Sequence, residues 1–405
     1  MTAADASEHH VCAEAARGVS RVALLAAFPF PLPQGSQVFV AEQARALARA
    51  GCDVTLLCYG EGAAAQGGGS PGSCGLAESA VRVVRAPRAL SRAPLRAGPS
   101  WRKPLADAAL LACWLRESRR GRFDVALAHN AEAALVALAA RPVTHVPAIY
   151  VAHTLLGVEL SAYAPPRLAA LADRVGARLD AALGRRCDGV LALAHSAAEA
   201  LARDARGPVV TLPPGLDPTP PPGAFEVARA CAAHGLRRGG FALYTGNLDR
   251  YQDLDDLAAA ARRVTPLPIV VATHDRVRGA PAPLRLARLA DGAEARALVH
   301  GAAVCVLSRR RVGGFPVKLL NYLEAGRPVV ARAGVAEGLE HGRSAWLVAA
   351  DAPPAALGEG VAQLVADPGL AERIGAGGRR VLEERHGWAS LARATLAFAS
   401  EVARR

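Results

Sequence analysis

Lysine is nearly missing from this chain. Of 48 basic residues in 405 positions, only Lys103 and Lys318 are not arginine. Aromatic residues make up 4% of the sequence, and no run of basic residues is interleaved with them. A stacking platform for nucleic acid is therefore excluded. The eight cysteines form no Cys-x-x-Cys pair and no Cys/His cluster at metal-binding spacing; Cys58, Cys113 and Cys305 sit in apolar runs, where cysteine behaves as a small hydrophobe. This usage points to a reduced, cytoplasmic setting. No uninterrupted apolar stretch approaches ~18 residues, so no transmembrane helix is expected. Asp5, Glu8, His9 and His10 near the start speak against a signal peptide.

What is present is a globular composition, 52% hydrophobic and 21% charged, with a net charge of +12. The length allows two domains with a core each. The positive balance fits either arginine spread over a solvated surface or a basic face directed at phosphates, those of a nucleotide or of an anionic membrane.

Short apolar runs alternate with segments of helical period. Residues 21–30 read as a buried strand, 37–51 as a helix with Val38, Ala41, Ala44, Leu47 and Ala48 on one side, and 52–60 as the next strand, which together make a βαβ unit. Further strands are expected at 81–87, 124–130, 148–154 and 189–196, the last three each ending on His followed by a polar residue, with a helix at 104–120. Residues 1–19 read as a disordered tail, 31–36 as a loop, and 60–75 as a Gly/Ser-rich loop. The Pro-rich stretch 208–222 reads as the linker between domains. The second half repeats the pattern, with strands at 241–247, 268–274, 303–309, 328–333 and 344–350 and helices at 254–264 and 315–326, the latter with Pro in its first turn. The fold class is α/β: two Rossmann-like, doubly wound parallel-sheet domains, spanning 20–215 and 216–387. In such sheets ligands bind beyond the carboxyl ends of the strands.

The stretches FPFPLPQGS, LPPGLD, LYTGNLDRYQDLDDLAAA, GGFPVKLLNYLEAGRPVVA and the terminal RHGW occur in an order and spacing that resemble a retaining glycosyltransferase of family 4. The resemblance covers nearly the whole chain from about residue 20. It implies the GT-B architecture, two Rossmann-like domains facing a cleft, with a last helix, 388–405, that crosses back onto the first domain. It also implies transfer of a sugar from a nucleotide-diphosphate donor to an acceptor hydroxyl of a glycan, glycolipid or small molecule, with retention of configuration. In similar enzymes the 313–331 region carries two Glu; here Gly313 and Asn321 stand at those places. Cations expected near the donor diphosphate are likewise replaced by Asn247, after Gly246, and by Gln252. Lys318, with Arg309 and its neighbours Arg310 and Arg311, is left as the candidate for the diphosphate, assisted by backbone N–H groups at the helix start. Gly314, Phe315, Pro316 and Val317 complete this motif.

In the first half, Gly35 and Ser36 open a helix in the loop that the resemblance brings to the donor phosphate. His153 matches the family's His near the reaction centre, and Lys318 and His153 are the candidate catalytic residues. His129, Asn130, Thr154, Glu159 and Lys103 fall on the acceptor side, although Lys103 equally suits a helix entry in which Ser100 or Asp107 caps, and Glu159 a surface carboxylate. His195 with Ser196 reads as a helix start. Asp253, Asp255 and Asp256 sit where acids complement a helix dipole. No Asp-x-Asp pair serves a strand end, so neither a metal nor another cofactor is expected. The expected partners are a nucleotide-sugar donor, a glycan or lipid-linked acceptor and an anionic membrane surface met peripherally, but no nucleic acid. Two other readings remain open. One is a degenerate GT-B binding subunit, since both Glu are missing. The other is a dinucleotide-dependent enzyme, which the absence of Gly-x-Gly-x-x-Gly after the first strand disfavours.

Overall fold

The computed structural model describes residues 18–31, 35–60, 80–87, 103–275 and 279–405, the side chain of Arg250 apart. The expectations for residues 1–17, for most of the 60–75 loop and for the Gly-Pro-Ser at 98–100 lie outside the described residues. The chain divides into two compact units, one of residues 1–215 with 388–405 and one of 216–387.

The first unit is built on a seven-stranded parallel sheet in the order β3-β2-β1-β4-β5-β6-β7. Its strands are β1 (Arg21–Pro29), β2 (Asp53–Tyr59), β3 (Val81–Arg85), β4 (Val125–His129), β5 (Ala148–Ala152), β6 (Gly189–Ala192) and β7 (Val209–Thr211). The central strands are continuous apolar runs because helices cover both faces. These helices are α1 (Gly35–Arg49), α2 (Lys103–Arg120), α3 (Asn130–Thr144), α4 (Leu156–Tyr163), α5 (Ala169–Arg186) and α6 (His195–Ala202). Alanine-rich faces let them lie close: Ala131, Ala133, Ala134, Ala137 and Ala140 of α3 are all buried in the core. The last helix, α13 (Trp388–Ala403), packs on α1 within this unit. Trp388, Leu391, Phe398 and Val402 are buried there. A Cβ on Gly189 would come within 2.7 Å of Val402, and one on Gly215 within 2.7 Å of the Trp388 ring, so both glycines make room for α13.

The second unit has a six-stranded parallel sheet in the order β10-β9-β8-β11-β12-β13. The strands are β8 (Ala242–Thr245), β9 (Ile269–Thr273), β10 (Arg285–Arg288), β11 (Val304–Leu307), β12 (Val329–Arg332) and β13 (Trp346–Val348). The helices are α7 (Ala224–Ala233), α8 (Leu254–Ala261), α9 (Gly292–Gly301), α10 (Lys318–Glu324), α11 (Ala355–Ala366) and α12 (Pro368–Arg385). The expected α/β class with two doubly wound parallel sheets is thus what the chain forms.

Four details correct the sequence reading. Part of the Pro-rich 208–222 stretch is a strand, β7, at the edge of the first sheet. β10, with arginine at both ends, was not expected at all; it too is an edge strand, where one side has no neighbour and charges stay solvated. Asp253 and Asp256 do more than complement a helix dipole. Asp253 accepts the Arg310 N–H at 2.7 Å, and Asp256 pairs with both Arg310 and the fully buried Arg332, the latter at 2.8 Å. Finally, α10 has only seven residues and begins at Lys318, so Pro316 lies in the turn before it, and the Leu319 and Leu320 N–H groups at the helix start are already bonded to Pro316 O and Val317 O.

Candidate functional site

In each sheet the strand order reverses once, between β1 and β4 in the first unit and between β8 and β11 in the second. At such a switch point the connections leave towards opposite faces and open a crevice beyond the carboxyl ends of the strands. The sequence-selected residues cluster at these two places.

In the first unit, β4 delivers His129 and β5 leads directly to His153. His129 stands in register with Val151, and His153 lies two residues further along, on the same side of the sheet. The two rings meet: His129 Nδ1 and His153 Nε2 are 3.0 Å apart, one donating and the other accepting. Phe39 of α1 packs edge-on against both, with centroids at 5.9 and 5.1 Å, and itself lies 5.6 Å from Trp388. Burial pushes both imidazoles well below their ordinary range, His153 to about 3, with the neighbouring ring adding to the effect at His129. Both are therefore neutral near pH 7. His129 Nε2 is buried and makes no hydrogen bond with a described residue.

Asn130, the first residue of α3, has φ +70°, a left-handed conformation that Asn tolerates better than most residues. It turns the chain sharply from β4 into the helix. Thr154 and Glu159 follow His153 and are half-buried, Glu159 in the first turn of α4. Lys103 opens α2 and pairs with Glu132 of α3 at 2.7 Å. It is thus a helix-entry residue held by a carboxylate. Asp107 is not a cap: its carboxylate takes the Tyr59 hydroxyl. Gly35 and Ser36 form the start of α1, which has no acidic residue in its first turn.

In the second unit, Gly246 follows β8 with φ +137°, and a Cβ there would lie 2.7 Å from Lys318 Nζ. Glycine suits the backbone angle here, and it leaves room for the amine where it stands. Lys318 Nζ sits 3.8 Å from the centre of the Tyr244 ring and donates to Gln252 Oε1 at 3.0 Å. One turn later on the same helix face, the Tyr322 hydroxyl bonds to Thr245 N at 2.8 Å and to its Oγ1 at 3.0 Å, clamping α10 to the end of β8. Arg309, buried at the end of β11, lies over the Tyr251 ring and donates to Gly314 O at 3.4 Å. Burial above all, and Arg309 next, hold the Lys318 ammonium well below its ordinary range. Lys318 makes no ion pair with a described residue. The site thus holds an amine and a guanidinium beside aromatic faces.

Of the remaining donor-side candidates, Asn247 is exposed and its amide donates to Asp249 at 2.7 Å and to Tyr251 at 3.0 Å. Gln252 is buried as the partner of Lys318. Gly313, at φ +130°, Gly314, Phe315 and Pro316 are buried and Val317 is half-buried, while Asn321 is exposed. Arg310 is engaged by Asp253 and Asp256. Sequence reasoning missed Tyr244 and Tyr251; their one signal was their position on either side of Gly246. Among the described residues no group of three or more His, Cys, Asp or Glu side chains converges on a metal position.

Comparison with known proteins bears on both units. The profile of Glycosyltransferase Family 4 matches residues 33–219, and that of Glycosyl transferases group 1 matches residues 241–367. The chain is a glycosyltransferase with the GT-B fold. Solved structures share this glycosyltransferase's fold over most of their length. Sucrose-phosphate synthase (tll1590) from Thermosynechococcus elongatus is 18% identical, covers 93% of this chain and 97% of its own, and has a TM-score of 0.72. Anabaena Alr3699/HepE in complex with UDP and glucose is 14% identical, covers 93% and 98%, and has a TM-score of 0.70. WaaG, a glycosyltransferase involved in lipopolysaccharide biosynthesis, is 16% identical, covers 93% and 98%, and has a TM-score of 0.64. No curated protein sequence matches the chain significantly. No helix among the described residues of this glycosyltransferase is long and apolar enough to cross a membrane.

Proposed function

We propose that this glycosyltransferase moves a sugar from a nucleoside-diphosphate sugar to a hydroxyl of a glycan, glycolipid or small molecule, with retention of configuration and without a metal. It would act in the cytoplasm, peripherally on the inner face of a membrane when the acceptor is lipid-linked. The observation that carries the reading is Lys318, held without a carboxylate at the β8/β11 switch point beside Arg309. A diphosphate is a ligand that a lysine and an arginine side by side accommodate. In a front-face reaction the acceptor oxygen bonds to the anomeric carbon on the side from which the phosphate leaves. The C–O bond to the diphosphate breaks, and the acceptor proton passes to the departing phosphate oxygen. Lys318 and Arg309 would meet the charge that develops there, and neutral His153 would hold a sugar hydroxyl.

UDP-glucose, bound by one of the structural neighbours, is the first donor to try. Incubation of the purified protein with nucleotide sugars, followed by NMR of the product's anomeric proton, tests the reading. Retained configuration and turnover that survives EDTA are expected. An inverted product, or nucleotide binding without transfer or donor hydrolysis, would overturn it, the latter in favour of a binding subunit.

Lys318→Ala should weaken nucleoside-diphosphate binding at least tenfold, which is about 1.4 kcal/mol. A bound anion favours the ammonium that burial disfavours, so binding should take up a proton and weaken as pH rises. Calorimetry in buffers of different ionisation enthalpy reads both effects. Equal affinity for the two proteins would remove Lys318 from the site.

A further inference from the structure

Helix α5 turns an apolar row to solvent. Leu171, Val175 and Leu179 are 57%, 42% and 43% exposed, and Leu168, in the short turn just before the helix, is 52% exposed. Spacings of three and four residues put all four on one face. The opposite face is occupied by α4. A methyl group on Gly176 would collide with the Gly157 backbone, Asp180 Oδ2 accepts the Gly157 N–H at 3.2 Å, and Asp173 also reaches Gly157. Both acids of α5 are therefore on the side towards α4. Arg167, Arg174 and Arg178 are exposed and run along one flank of the apolar row. None of the three makes an ion pair with a described residue.

We propose that this face docks on an anionic lipid surface, with α5 lying flat among the headgroups. An exposed apolar row flanked by arginine, with no acid on the same face, is the pattern of a helix that rests in a membrane interface. Each basic group near such a surface adds attraction that salt screens. Charge complementarity selects lipid over a second copy of the chain, because the same face of a copy offers these arginines no carboxylate. The position has a consequence for the acceptor. α4 begins three residues after His153 and packs on α5. Docking would hold the end of β5 near the headgroups, where a lipid-linked hydroxyl lies. That last clause rests on the proposed function; the docking itself does not.

Sedimentation with vesicles of phosphatidylglycerol and phosphatidylcholine, without any sugar donor, tests the proposal. The protein should bind these vesicles, bind pure phosphatidylcholine far more weakly, and be released as salt rises from about 0.1 to about 0.5 M. The double variant Leu171→Glu with Leu179→Glu should lose at least about tenfold in vesicle affinity. Arg174→Gln with Arg178→Gln should lose the preference for anionic lipid. Both variants should keep the wild-type unfolding midpoint and nucleotide affinity, since these side chains are exposed and remote from the switch points in sequence. Wild-type protein that ignores anionic vesicles would overturn the proposal. So would a Leu171→Glu, Leu179→Glu protein that binds them undiminished, or a wild-type dimer that this variant turns into a monomer. Failure of the transferase reading would appear instead as absent sugar transfer with vesicle binding unchanged.

Discussion

His153→Ala should lower turnover by about a hundredfold or more while changing donor affinity little. A group that contacts the reacting sugar acts mainly in the transition state, and loss of one such preorganised contact typically removes 10²–10³ in rate, or roughly 3–4 kcal/mol. The structure gives this expectation a specific form. His153 is neutral, is packed against Phe39, and shares a 3.0 Å hydrogen bond with His129. Its ring is thus fixed before substrate arrives. Because burial brings its titration down to about 3, this ring should produce no inflection in kcat between about pH 5 and 9. Steady-state kinetics with saturating donor measures the loss, and the pH profile checks the protonation state. An alanine variant with wild-type turnover would exclude His153 from the reaction. An inflection near pH 6.5 that vanishes in the variant would contradict the neutral pair.

Deleting residues 388–405 should destabilise the first unit, although the segment follows the second in sequence. α13 buries Trp388, Leu391, Phe398 and Val402 within the first unit. At about 1.5–3 kcal/mol for each large apolar side chain, the gross burial is on the order of 10 kcal/mol, similar to the whole stability of a typical domain. The ordering of the helix offsets part of it. Removal would also expose Phe39, which touches Trp388 on one side and the His129–His153 pair on the other. Amides of β1, β4, β5 and β6 should lose at least about a hundredfold in hydrogen-exchange protection, which is about 2.7 kcal/mol. Those of β8, β11 and β12 should change little. Protection lost only within 216–387 would show that α13 serves the other unit.

Much of the architecture was legible in the sequence because it is local. A run such as 21–30 can satisfy its backbone and bury every side chain only as an interior strand of a parallel sheet, and the helical period between such runs supplies the crossovers. β7 and β10 escaped notice because neither reads as an interior run. β7 is only three residues long and lies in a proline-rich stretch, and β10 is an edge strand, whose unpaired side tolerates the arginines that argue against an interior strand.

The site residues show the limit most clearly. The sequence singled out Lys318 by the rarity of lysine, and His129 and His153 by their places at strand ends. Nothing local says that the two imidazoles share a hydrogen bond; the parallel register of β4 with β5 decides that, across 24 residues. Nor does anything local place Lys318 on the Tyr244 ring and Gln252, more than 60 residues away, or turn Asp256 from a helix-start acid into the partner of buried Arg332. Side-chain type and period follow from short-range sterics and solvation, and so the sequence alone determined the interior elements and the fold class. Which charges meet, and that Lys318 has no carboxylate partner among the described residues, depends on sheet order and burial, and only the tertiary structure decided it.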